Sequence, residues 1–142
     1  MNKRKLRLDK YGISNKRYKE LCGFCEQYPE WLEELKSNTD TVKSASVSSM
    51  PASSSGTGDP TSALARRRVE LRKRCDLIEQ TAIQANADLY QYIIRSVCYE
   101  ESVRYLQTIK GMACSTAAFY DVRRYFFYLL DQNHQFTTFE YF

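Results

Sequence analysis

Few side chains in this 142-residue sequence are spaced for chemistry. Cys22-Gly23-Phe24-Cys25 has the CxxC spacing of zinc and thiol-redox sites. A structural zinc needs four ligands, and the other candidates, Cys75, Cys98, Cys114 and His134, form no second paired motif. Residues three apart share a helix face, so both thiols read better as small buried hydrophobes. His134, the single histidine, is expected beyond the last helix and exposed. No serine or cysteine has a visible base partner, and no Gly-rich phosphate loop appears. Asp88, Glu100, Glu101 and Asp121 are scattered carboxylates suited to solvation or helix pairing. The inventory predicts no enzyme, no metal site and no cofactor.

What remains is electrostatic. The chain carries 21 Lys and Arg against 17 Asp and Glu, a formal charge of +4. Residues 1–36 hold nine basic and six acidic side chains, and residues 64–84 hold six and three. Residues 85–142 hold five and six, so the most apolar part of the chain is nearly neutral. No apolar run approaches the roughly 18 residues of a membrane span, and the basic start has no apolar stretch behind it. A cytoplasmic protein with five free thiols and no membrane contact is the expectation.

The elements that position these groups read as helices. Ser14-Asn15 caps a helix through Leu21 and Cys25, and Pro29 opens a second one, giving an N-terminal helical segment over 1–36. Residues 37–58, with many serines and few large apolar side chains, read as a disordered linker. Asp59-Pro60 starts a helix whose stripe Leu64, Leu71, Cys75, Ile78, Ala82, Ala85, with Arg68 as its one polar member, suits helix pairing, as in a homodimer. Leu89, Ile93 and Val97 share a face of the next helix. Ser102 caps another through Val103, Leu106 and Ile109, and Gly111 follows where positive φ is wanted. Ser115-Thr116 caps the last helix, whose predicted inward stripe is Phe119, Val122, Phe126 and Leu129, with Leu130 beside it. The only weak strand pattern is the aromatic tail, 135–142.

A helix, a glycine-containing turn and a helix opening on small residues form the pattern of a helix-turn-helix, here over 102–131. With that stripe inward, the opposite face presents Ser115, Thr116, Ala117, Tyr120, Arg123 and Arg124, with Lys110 just before the turn. Hydroxyls there suit base edges or phosphates, Ala117 suits a thymine methyl, and the arginines suit phosphates or guanine. Arg66 and Arg67, within the cluster Arg66–Arg74 on the preceding long helix, and the basic N-terminus add positive charge that can flank the same groove, and double-stranded DNA is the implied partner.

Several strings carry a resemblance: Tyr18-Lys19-Glu20-Leu21, Phe24 to Trp31, Arg67 to Leu71, Leu77 to Ala82, Tyr90 to Ile94, and Cys114 to Phe126. Together they resemble small phage and prophage proteins of Firmicutes, especially clostridia. Those are similar in size and layout to the ArpU/RinA class of late-gene transcriptional regulators, whose C-terminal region resembles the promoter-reading helix-turn-helix of sigma factors. The resemblance implies a recognition helix opening at Ser115 or Thr116 over a core of Phe119, Val122 and Phe126. Thr116 and Ala117 depart from the group's pattern, which is polar or charged there.

The expectation is an all-α protein: a helical bundle over 59–134 ending in a helix-turn-helix, with an N-terminal helical segment on a linker. Its expected function is DNA-binding phage gene regulation. Ten of the last 24 residues are aromatic, more than one face buries. They suggest an alternative, a non-catalytic factor that binds host RNA polymerase or another host protein. A small-terminase-like packaging factor is a further one.

Overall fold

The computed structural model describes residues 11–47 and 60–139, with side chains described over 11–37 and 61–134. Every element among them is a helix, as expected of an all-α chain. In order they are α1 (Asn15–Glu26), α2 (Tyr28–Val47), α3 (Pro60–Ala85), α4 (Tyr90–Cys98), α5 (Val103–Thr108) and α6 (Thr116–Phe139). The chain divides into two compact units, one of residues up to Gln27 together with Leu77 onward, the other of Tyr28–Asp76. None of the described helices is long and apolar enough to cross a membrane.

This division redraws the expected organisation. Helix α1 is not part of a separate N-terminal segment; it packs on α4 and α6. Helix α2 runs to Val47, well into the stretch expected to be a linker, and the remainder of that stretch, 48–58, lies outside the described residues. Propagating a helix adds one hydrogen bond per residue fixed, and no glycine or proline interrupts the chain between Trp31 and Val47. Asp59, the expected cap of α3, is also outside the described residues, but the helix begins at Pro60 as its fixed φ favours.

The unit Tyr28–Asp76 is a helical hairpin. Tyr28, Trp31 and Leu35 recur at helical spacing on α2 and are buried, as are Leu71 and Cys75 on α3. Two contacts fix their direction: the Arg74 guanidinium lies 5.4 Å over the Trp31 ring, and Arg67 forks onto Glu34 at 2.7 and 3.1 Å. Moving forward on α2 therefore means moving backward on α3, so the pair is antiparallel. The stripe Leu71, Cys75, Ile78, Ala82 is fully buried within the chain. That face, expected to pair with a second copy, is covered by the chain itself.

The other unit gathers α1, the end of α3, and α4 to α6 around Phe119, Phe126, Phe127, Leu130, Leu21, Ile93 and Leu106, all nearly or fully buried. Each such side chain contributes about 1.5–3 kcal/mol by leaving water. Polar ties set the register. Arg17 of α1 donates to Asp131 of α6 at 2.5 Å, and Asn133 of α6 donates to Thr81 of α3 at 3.1 Å. Helix α6 continues to Phe139, so the tail residues 135–139 extend a helix rather than forming a strand. His134 accordingly sits within α6, half-buried, its ring 4.5 Å from that of Phe24.

Helix α6 turns a different face inward from the one its pattern suggests. The expected stripe included Val122 and Leu129, which are only half-buried, while Phe127, which that stripe leaves out, is fully buried. Phe119, Phe126, Phe127 and Leu130 share an arc displaced from the predicted one by about a sixth of a turn. Apolar side chains stand on both arcs, and α1, arriving from far away in sequence, selects the second.

Candidate nucleic-acid interface

The corner between α5 and α6 is built by local hydrogen bonds. Ser102 caps α5, its hydroxyl accepting from the Tyr105 amide at 3.1 Å, and Val103 and Leu106 are buried. The helix closes through the Met112 amide, which donates to the Leu106 carbonyl at 2.9 Å across Gly111. Gly111 has φ +74°, and nothing crowds the place of a missing Cβ there, so backbone conformation alone explains the glycine. Met112 is buried and anchors the turn. Gln107 then bridges forward, donating to the Cys114 carbonyl at 2.8 Å and to the Thr116 hydroxyl at 3.3 Å. Ser115 caps α6, accepting from the Ala118 amide at 3.2 Å.

Of the sequence-predicted contact residues, this corner brings four together on the surface. Ser115, Thr116 and Ala117 are exposed, and Lys110 is exposed with its ammonium 6.0 Å over the Tyr105 ring. Arg104, which sequence reasoning passed over, is exposed on α5. Its signal was its place off the Val103/Leu106 face of a short helix.

The other α6 residues are spent on the fold, which corrects their expected placement. Arg123 is half-buried: it donates to the Ser96 hydroxyl at 3.2 Å and the Tyr18 hydroxyl at 3.0 Å, and stands 5.1 Å over the Phe127 ring. Arg124 is buried and ion-paired with Asp121. Tyr120 is half-buried and, with Arg123, Cys22, Ser96 and Glu101, lines a cavity of about 240 Å³. The physical reason is the displacement of the buried arc of α6 by about a sixth of a turn, which carries Arg123 and Arg124 toward neighbouring helices and leaves the first turn open.

On α3, Arg66 and Arg67 are both exposed, but Arg67 is held by its fork onto Glu34. Arg68, Arg72 and Lys73, which belong to the same basic cluster Arg66–Arg74 expected to flank the groove, are exposed on this helix.

The cysteines behave as core atoms. Cys25 is fully buried and touches Cys98, and burial holds its thiol well above the usual range, with the neighbouring thiol adding to the rise. Burial raises Cys22 as well. Neither is a thiolate near neutral pH, the form that attacks or binds metal. Among the described residues, no three of His, Cys, Asp and Glu gather closely enough to hold a metal ion. Burial also raises the Tyr18 hydroxyl, against the opposing pull of Arg123.

Comparison of the chain with protein-family models, curated proteins and solved structures finds no match. The functional reading therefore rests on this surface and its charges.

Proposed function

We propose that this chain is a DNA-binding gene regulator that presents the α5–α6 corner to the duplex, in the manner of a helix-turn-helix. The observation that carries the reading is the exposed first turn of α6, with Thr116 and Ala117 open on a helix start capped by Ser115 and with the exposed cations Lys110 and Arg104 on the preceding segment. A helix N-terminus favours anions, and small residues there let the backbone approach a groove. Thr116 suits a base edge, Ala117 a thymine methyl, and Lys110 and Arg104 the flanking phosphates.

The connection 109–115 is longer than the three- or four-residue turn of the compact motif, so the proposal depends on the open corner rather than on that turn length. The resemblance to phage late-gene regulators extends the same proposal to phage gene regulation.

Mobility shift of the native chain on its own upstream duplex and on an unrelated one tests it. Substituting Lys110 and Arg104 by Ala is expected to lower the salt slope by about one for each phosphate that is no longer neutralised. A folded double variant that binds as the native chain does would overturn this placement of the groove face.

A second reading has its own observation. Tyr11, Tyr125 and Tyr128 cluster on the surface, the Tyr11 and Tyr128 rings 5.2 Å apart and the Tyr125 and Tyr128 rings 6.3 Å apart and stacked. Tyrosines of this kind are enriched at protein interfaces, and a host protein such as RNA polymerase is the partner this reading names. It is favoured if Tyr125→Ala abolishes a stable host-protein complex while no duplex is bound.

A further inference from the structure

Between residues 61 and 76, α3 carries six basic side chains and two acidic ones. The burial of Leu71 and Cys75 fixes its inner face. At about 100° per residue, Arg68, Arg72, Val69, Lys73 and Arg66 follow one another along an arc that runs from the edge of that inner face, beside Cys75, round to its far side. All five are exposed.

The hairpin uses the other two cations for itself. Arg67 forks onto Glu34, and Arg74 lies over Trp31 and pairs with Glu70 at 3.3 Å. Arg66, Arg68, Arg72 and Lys73 form no ion pair with a described residue. Two carboxylates among residues 61–76 stand one turn from them: Asp76, beyond Arg72 and Lys73, and Glu70, between Arg66 and Arg74, which pairs with Arg74. Four cations thus stand within about 10 Å of helix axis and outnumber the carboxylates beside them, leaving a net positive face.

We infer that this face binds the phosphate backbone of duplex DNA without reading its sequence, as a second contact surface in addition to the α5–α6 corner. The inference rests on the DNA-binding reading. Three of the four groups are guanidinium forks, which match phosphate oxygens in pairs and hold their charge at any working pH. A membrane surface fits less well, because such helices set aromatic or leucine anchors beside their cations, and Val69 is the sole large apolar residue on this face. Each phosphate neutralised contributes about −0.9 to the slope of log affinity against log salt.

The test is fluorescence anisotropy of the full chain on a labelled duplex of unrelated sequence across a salt series, for the native protein and for Arg68→Ala/Arg72→Ala. Alanine is a better helix former and neither side chain is buried, so helicity by circular dichroism should be unchanged. The expected result is a slope shallower by about two and affinity at least tenfold weaker at low salt, equal on upstream and unrelated duplexes. Lys110→Ala/Arg104→Ala should instead reduce the preference for the upstream duplex. An unchanged slope in folded Arg68→Ala/Arg72→Ala, with the native chain binding, overturns this inference and leaves the corner reading standing. No duplex binding by the native chain overturns both. Loss of binding to phosphatidylserine vesicles or polyglutamate, with duplex binding intact, assigns the face to another partner and also overturns it.

Discussion

Two sets of arginines in this chain look alike in sequence and end in opposite states. Arg123 and Arg124 on α6 lie off that helix's predicted apolar stripe, and on α3 Arg72 lies off the stripe while Arg68 is its one polar member. In the fold, Arg123 is tied to Ser96 and Tyr18 and Arg124 is buried against Asp121, whereas Arg68 and Arg72 remain exposed. The difference lies in how many neighbours each helix has. Helix α6 is contacted by α1 and by α5, so most of its circumference is interior. Over residues 61–76, α3 shows burial on one face only. Periodicity identifies residues that leave a stripe, but it is blind to a helix arriving from elsewhere in the chain.

The sharpest way to break the comparison is at Phe127. Truncating it to Ala is expected to cost about 3–5 kcal/mol in denaturant unfolding, the range for a fully buried aromatic. The periodicity-based face predicts almost no loss, so a small effect would restore that orientation of α6 and free Arg123 for a ligand. Arg123→Met comes next. It removes two donors to half-buried hydroxyls and should destabilise by about 2 kcal/mol. An exposed arginine replaced in the same way costs less than about 0.5 kcal/mol.

A smaller effect concerns the end of α4. The Glu101 amide closes on the Arg95 carbonyl at 3.1 Å across Glu100, which holds φ +57°, the position that Gly111 fills at the end of α5. Glu100→Gly is expected to raise stability by about 0.5–1 kcal/mol, since glycine adopts this backbone without a Cβ penalty. Thermal unfolding of the two chains checks it.

The pH dependence of His134 is subtler. Burial is the main cause that lowers its pKa, with Arg17 adding to it. The folded state then binds the proton less readily than the unfolded chain, so stability falls as pH drops below the ordinary histidine value of about 6.5. His134→Phe should flatten that part of the stability profile. A profile that keeps its slope in the variant would assign the dependence to other groups.

How much of this was legible in the sequence follows the same division. Local features were readable because neighbours in sequence make them: the Ser14, Ser102 and Ser115 caps, the α3 start at Pro60, positive φ at Gly111, and the buried Leu71/Cys75/Ile78/Ala82 stripe. Features that need a distant partner were not. The joining of α1 to the C-terminal helices, the burial of Phe127 and Arg124, and the hydrogen bonds of Arg123 to Tyr18 all depend on contacts spanning much of the chain. The candidate site divides likewise. Thr116, Ala117 and Lys110 were found from the turn, while Arg68, Arg72 and Lys73 stand out only once α2 is seen to occupy Arg67 and Arg74.

The central claim is that the exposed surfaces of α3 and the α5–α6 corner bind duplex DNA. Its most direct test is equilibrium binding of the native chain to its upstream duplex and to an unrelated one, between about 50 mM and about 200 mM salt. The account predicts binding to both that weakens steeply with salt, with a preference for the upstream duplex that survives at the higher concentration. Absence of binding to either duplex at the lower salt would contradict it.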